Sequence, residues 1–122
     1  MRIGIDIIEV ERVISCIESS DRMARMYTKR ELEYFQKKNY AAETVAGIFS
    51  AKEAFFKALG TGMSPSAMLE LEVMHDQYGA PYYNLSSRLV LERHLSTARI
   101  QLSISHTKDI AVAVCVIVTS LS

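Results

Sequence analysis

Ala42-Glu43-Thr44-Val45-Ala46-Gly47-Ile48-Phe49-Ser50-Ala51-Lys52-Glu53-Ala54-Phe55-Phe56-Lys57-Ala58-Leu59, running straight into Gly60-Thr61-Gly62, is the longest helical pattern in the chain. Val45, Phe49, Phe56 and Leu59 mark its apolar face. Gly60-Thr61-Gly62 stops it, since glycine readily takes the left-handed backbone that ends helices. Upstream, Thr28-Lys29-Arg30-Glu31 reads as a capping box, in which Thr28 caps the amide of Glu31 and Glu31 reaches back. Leu32 and Phe35 carry that helix to about Lys38. Earlier still, Val10, Val13, Ile14 and Ile17 give Glu9 to Ile17 a helical spacing. Ser19-Ser20-Asp21 interrupts it, and Arg22, Met23, Arg25 and Met26 form a short basic-apolar turn.

Strands occupy the ends. Ile3, Ile5 and Ile7 alternate with Arg2, Gly4 and Asp6, the period of a half-buried strand. Downstream of the long helix, Met68–Met74 and Tyr82–Leu85 read as strands joined through Asp76-Gln77-Tyr78-Gly79-Ala80-Pro81. Ser86-Ser87 caps a short helix to His94. Ile100, Leu102 and Ile104 alternate again, Ser105–Asp109 makes a hairpin connection, and Ile110–Val118 closes the chain. The expectation is one α+β domain, residues 1–122, with a mostly antiparallel sheet packed against a long helix.

Composition narrows the function classes. Fourteen Lys plus Arg balance fourteen Asp plus Glu, which argues against a general nucleic-acid or membrane-surface binder. No secretory signal is visible, and the apolar run Ile110–Val118 is far shorter than the ~20 residues of a spanning helix. Cys16 and Cys115 have no CxxC spacing and suggest neither a zinc site nor a disulfide framework. A cytoplasmic protein is expected.

Three places hold polar groups that the pattern does not require. Asp6 lies in an isoleucine-rich strand, where an ionised carboxylate must be paired or bind a metal, or else cap the following helix. Glu53 and Lys57 stand four apart on one helix face, ahead of a glycine turn whose amides can meet a phosphate. The plain alternative is an exposed ion pair. Ser105-His106-Thr107-Lys108 can donate to phosphate oxygens or be an ordinary polar turn. His75 and His94 have no such company and are expected at the surface.

Gly4-Ile5-Asp6-Ile7 with Glu9, the run Phe49 to Gly62, and Ser103-Ile104-Ser105-His106-Thr107 together resemble the three signatures of the phosphopantetheinyl transferases, in the order and length of the short single-domain branch. The resemblance spans residues 2 to about 118. It implies that Mg2+ is held by Asp6 and Glu53 and that Glu53, Lys57 and His106 serve catalysis. It implies further that Lys57, Gly60, Gly62, His106 and Thr107 bind coenzyme A. The reaction implied is attack of a serine hydroxyl of an acyl carrier protein on the β-phosphate, releasing adenosine 3',5'-bisphosphate, as in fatty acid biosynthesis. Arg12, Arg22, Met23 and Arg25 are the expected docking residues for the carrier. A homotrimer with active sites at its interfaces is expected too, because larger members look like two fused copies. Ile48 stands where many relatives carry arginine, and Ile8 where larger members carry a second acid. Outside enzymes, the same features fit a non-catalytic oligomeric module that binds a nucleotide or an acidic partner.

Overall fold

The computed structural model describes residues 1–61 and 64–119. Its axis is the expected long helix, here α4 (Ala42–Leu59), which ends at Gly60 with φ 78°. Its buried residues lie around most of its circumference: Val45, Ile48, Ala51, Ala54, Phe55, Phe56 and Ala58 among them. A helix apolar on so many sides must be covered on more than one of them. One side packs on a three-stranded antiparallel sheet of order β1 (Arg2–Glu9), β5 (Ile110–Val118), β4 (Arg99–His106). The two-stranded ladder β2 (Leu71–His75) and β3 (Pro81–Leu85) and the short helices α1 (Ile14–Ile17), α2 (Ser20–Met26) and α3 (Lys29–Lys37) complete the cover. A last helix, α5 (Ser87–Glu92), starts at Ser86, whose hydroxyl accepts from the Leu89 amide.

The N-terminal strand alternates as expected, and its inward side is the one bearing Gly4, Asp6 and Ile8. Ile3, Ile5 and Ile7 are 61, 58 and 67% exposed. The physical reason is Gly4. A Cβ there would fall 2.0 Å from the Ala54 carbonyl oxygen and 2.5 Å from the Ala58 amide nitrogen, so only glycine lets β1 lie this close to α4. That approach is what presses Asp6, two residues on, against the helix.

The segment Glu9–Ile17 departs from the expected helix. Pairing with β5 continues to Glu9 opposite Ile110, and the Val10 amide donates to the Asp109 carbonyl at 2.8 Å. Val10–Val13 is then a 3-10 turn before the single turn of α1. The buried positions are Val10, Val13 and Cys16, three apart, while Ile14 is 46% exposed: a 3-10 period replaces the α period. The Arg22–Met26 segment, expected as a turn, is helix α2, capped by the Ser19 hydroxyl on the Arg22 amide. Met68 belongs to a 3-10 turn (Ala67–Glu70) and not to β2.

The Thr28 capping box forms with both its bonds. Glu31 does more than cap: it is 1% exposed, accepts from the Thr28 and Val73 amides, and lies 2.5 Å from the Lys52 ammonium. Lys52 is fully buried and also donates to the carbonyls of Met26 and Met68. Burial pushes Glu31 up and Lys52 down from their ordinary ranges, and their mutual attraction opposes both shifts. This buried pair ties α3, α4, β2 and the turn before it together.

Candidate active site

Asp6 reaches α4 from the inward side of β1, its side chain 13% exposed. The buried Ser50 hydroxyl donates to Oδ2 at 2.7 Å, and the Lys57 ammonium donates to Oδ1 at 2.9 Å. Both carboxylate oxygens are therefore held, one by a neutral donor and one by a cation. Ser50, Glu53 and Lys57 are spaced three and four apart on one face of α4. Glu53 is half-buried and lines the same pocket of about 420 Å³ as Asp6 and Lys57. Burial pushes its carboxyl above the usual carboxylate range, the nearby negative charge of Asp6 adds to this, and Lys57 pulls it back. Two carboxylates, one from the sheet and one from the helix, thus face a common space.

Arg12 and Arg22 line that pocket too, from the 3-10 turn and from α2, with Phe49 and Met26 as apolar wall. Arg25 is exposed on α2 and is not among the residues lining it. Met23 corrects the docking expectation: it is 2% exposed and packs inward on Cys16, so it supports α2 from beneath and offers no contact surface.

The third motif lies elsewhere. His106 ends β4, at the opposite edge of the sheet from β1, with β5 between. It is exposed, its Nδ1 stands 3.3 Å from the Thr107 carbonyl, and it lines a second pocket of about 210 Å³ with Thr44, Gly47, Ile48 and Pro81. The Thr107 hydroxyl is engaged in its own turn, accepting from the amides of Asp109 and Ile110. Within one chain the structure brings Asp6, Glu53 and Lys57 together and leaves His106 and Thr107 apart from them.

The glycine turn is also committed. The Gly60 amide donates back to the Lys57 carbonyl at 3.0 Å and the Thr61 amide to that of Phe56 at 3.2 Å, so both serve the helix cap. The Arg2 guanidinium closes the same helix end by donating to the Leu59 carbonyl at 2.7 Å. Gly62 lies outside the described residues. His75 differs from its expected surface position: it is half-buried and stacked on Tyr34 with 4.1 Å between ring centroids. Ser50 is the site residue that sequence reasoning missed. Its only signal was a hydroxyl three residues before Glu53 on the same face.

Helix, sheet and carboxylate pair together define a small α+β domain built around a candidate anion- or cation-handling cleft, and comparison with known proteins specifies its class. Residues 2–115 match the model of the 4'-phosphopantetheinyl transferase superfamily, and the chain belongs to that superfamily. A holo-[acyl-carrier-protein] synthase of Fusobacterium nucleatum subsp. nucleatum is 42% identical over 117 residues, covering 94% of this chain and 96% of its own. One from Clostridium tetani is 41% identical over 117 residues, covering 94% and 93%. Among solved structures, a holo-(acyl-carrier-protein) synthase from Bacillus anthracis str. Ames in complex with CoA (3',5'-ADP) superposes with a TM-score of 0.82 at 36% identity, covering 98% of this chain and 96% of its own. That of Neisseria meningitidis gives 0.84 at 30% identity, covering 97% and 98%.

Proposed function

We propose that this chain transfers phosphopantetheine from coenzyme A to a serine of an apo acyl carrier protein, releasing adenosine 3',5'-bisphosphate. The family supports the reaction class, and the observation that carries the site is the meeting of Asp6, Glu53 and Lys57 in one pocket. A transfer of this kind needs charge neutralisation and alignment more than covalent help.

The donor set fits Mg2+. Asp6 and Glu53 offer hard carboxylate oxygens, and the charge of Asp6 disfavours the ionised form of Glu53, which a shared cation relieves. Among the described residues no three His, Cys, Asp or Glu side chains converge, so the remaining places around the ion fall to water and phosphate, as Mg2+ tolerates. Bound there, the metal would supply charge neutralisation at the pyrophosphate. Lys57, more than half exposed, adds a mobile positive charge beside the carboxylates for the phosphates. Glu53 is the base for the serine proton, directly or through a bridging water.

Arg12 and Arg22, at the wall of the pocket, receive an acidic carrier, and Arg25 extends the basic surface along α2. His106 and Thr107 serve coenzyme A from a neighbouring subunit of a trimer. No helix among the described residues is long and apolar enough to cross a membrane, in keeping with a cytoplasmic enzyme. The decisive experiment incubates the protein with coenzyme A, Mg2+ and several apo carriers and weighs the carriers by mass spectrometry. A gain of one phosphopantetheine is expected, and no gain on any carrier would overturn the reading.

A further inference from the structure

Three sulfur atoms meet at the junction of α1 and α2. The Cys16 thiol donates to the Met26 thioether at 3.5 Å and lies 3.7 Å from that of Met23. Met23 and Met26 stand three apart on α2 and so share a face. Cys16 is 4% and Met23 2% exposed, whereas Met26 is half-buried. Cys16 and Met26 also line the 420 Å³ pocket, which gives the cluster a way in from solvent. Core packing alone needs no sulfur at any of the three positions.

From this geometry we propose that Cys16, Met23 and Met26 form a three-sulfur site for a monovalent soft metal ion, with Cu+ as its type. Thiolate and thioether donors select soft ions over Mg2+ or Ca2+. With metal–sulfur bonds of about 2.3 Å, three sulfurs around one ion stand about 4 Å apart, so the two spacings from Cys16 need only a few tenths of an ångström of opening. Charge selects the oxidation state. The Cys16 thiol loses its proton to solvent as the sulfur–metal bond forms, so a monovalent ion leaves a neutral complex. A divalent ion would leave a net positive charge on a cluster whose Cys16 and Met23 sulfurs are almost fully buried. The cluster borders the same pocket as the Asp6–Glu53 pair, whose hard oxygens suit a different ion. Cys115, the other thiol, is buried beneath Tyr83 with its thiol pushed up to about 11, and serves as an internal control.

The test is an anaerobic titration of the reduced protein with Cu+ in competition with a chromophoric Cu+ chelator, so that no oxidant is involved. One equivalent is expected to bind, with X-ray absorption showing only sulfur neighbours. Met23→Leu and Met26→Leu conserve volume. Each should weaken Cu+ by about tenfold or more, and Cys16→Ala should abolish the site, while Cys115→Ala leaves it intact. Circular dichroism checks that each variant is folded. The proposal is overturned if both leucine variants hold Cu+ as tightly as the parent, if nitrogen or oxygen neighbours appear, or if binding follows Cys115. It is overturned as well if the folded protein takes no Cu+ from the chelator. Cu+ binding does not depend on phosphopantetheine transfer, so the two readings stand or fall separately.

Discussion

Ser50 and Lys52 are two helix residues apart and play unlike parts. Ser50 donates a hydrogen bond to Asp6, and a hydrogen bond to a charged group contributes about 1.5–3 kcal/mol. Ser50→Ala should therefore lower urea stability by about 1.5–3 kcal/mol and, in the folded protein, raise the Mg2+ concentration for half-maximal transfer; an unchanged Mg2+ requirement would show that Lys57 alone orients Asp6. Lys52 serves the fold. Lys52→Met leaves Glu31 charged and alone in the core, and should cost about 3–5 kcal/mol in urea unfolding. Adding Glu31→Gln should recover part of that loss, and no recovery would mean that Lys52 acts through packing alone. In the sequence Lys52 and Lys57 look alike. Five residues turn a helix by about 140° beyond a full turn, so one lysine faces the core and the other the cleft. Asp6 stood out because a carboxylate among isoleucines demands a partner. A serine in a helix makes no such demand, which is why Ser50 became visible only in three dimensions.

Strand β1 and helix α4 form the element pair that makes the cleft, and their closeness rests on one missing side chain. Gly4→Ala would set its Cβ against backbone atoms of Ala54 and Ala58, neither of which can swing away. Overpacking of this kind costs about 1–3 kcal/mol or more. The variant should melt earlier and, in the fraction still folded, lose Mg2+ affinity because Asp6 moves with β1; a variant with parental melting and parental Mg2+ use would remove Gly4 from this role. The regular elements could be read from the chain. The capping box at Thr28, the glycine stop at Gly60 and the alternation through Ile100–Ile104 each have one local cause. The segment Glu9–Met26 could not be read, because its outcome is set from a distance. The Asp109 carbonyl holds the Val10 amide in the sheet, and valines three apart satisfy a 3-10 turn as well as an α-helix. The inward side of β1 was likewise decided by α4, since alternation reports a period without saying which side is covered.

Across the whole molecule, the outer face of the sheet is the feature that a single chain leaves unfinished. Ile3, Ile5 and Ile7 pair across the ladder with Val116, Val114 and Val112, and among the described residues nothing packs over this apolar patch. A patch so continuous marks an interaction surface. The carboxylate cleft and the His106 pocket lie at opposite edges of that same sheet, so copies joined around it can bring one subunit's cleft to the next subunit's histidine. Closed threefold symmetry with a heterologous interface satisfies both facts. Sedimentation should report a trimer, and Ile5→Glu should release monomers. The stronger test mixes Asp6→Ala subunits with His106→Ala subunits after establishing that each alone is severely impaired. Every mixed trimer regains one intact site of three, and random exchange leaves about three quarters of trimers mixed, so roughly a quarter of all sites should recover. Recovery of none, with exchange demonstrated by mass, would place His106 and Asp6 in the service of one subunit and leave the isoleucine face without this role.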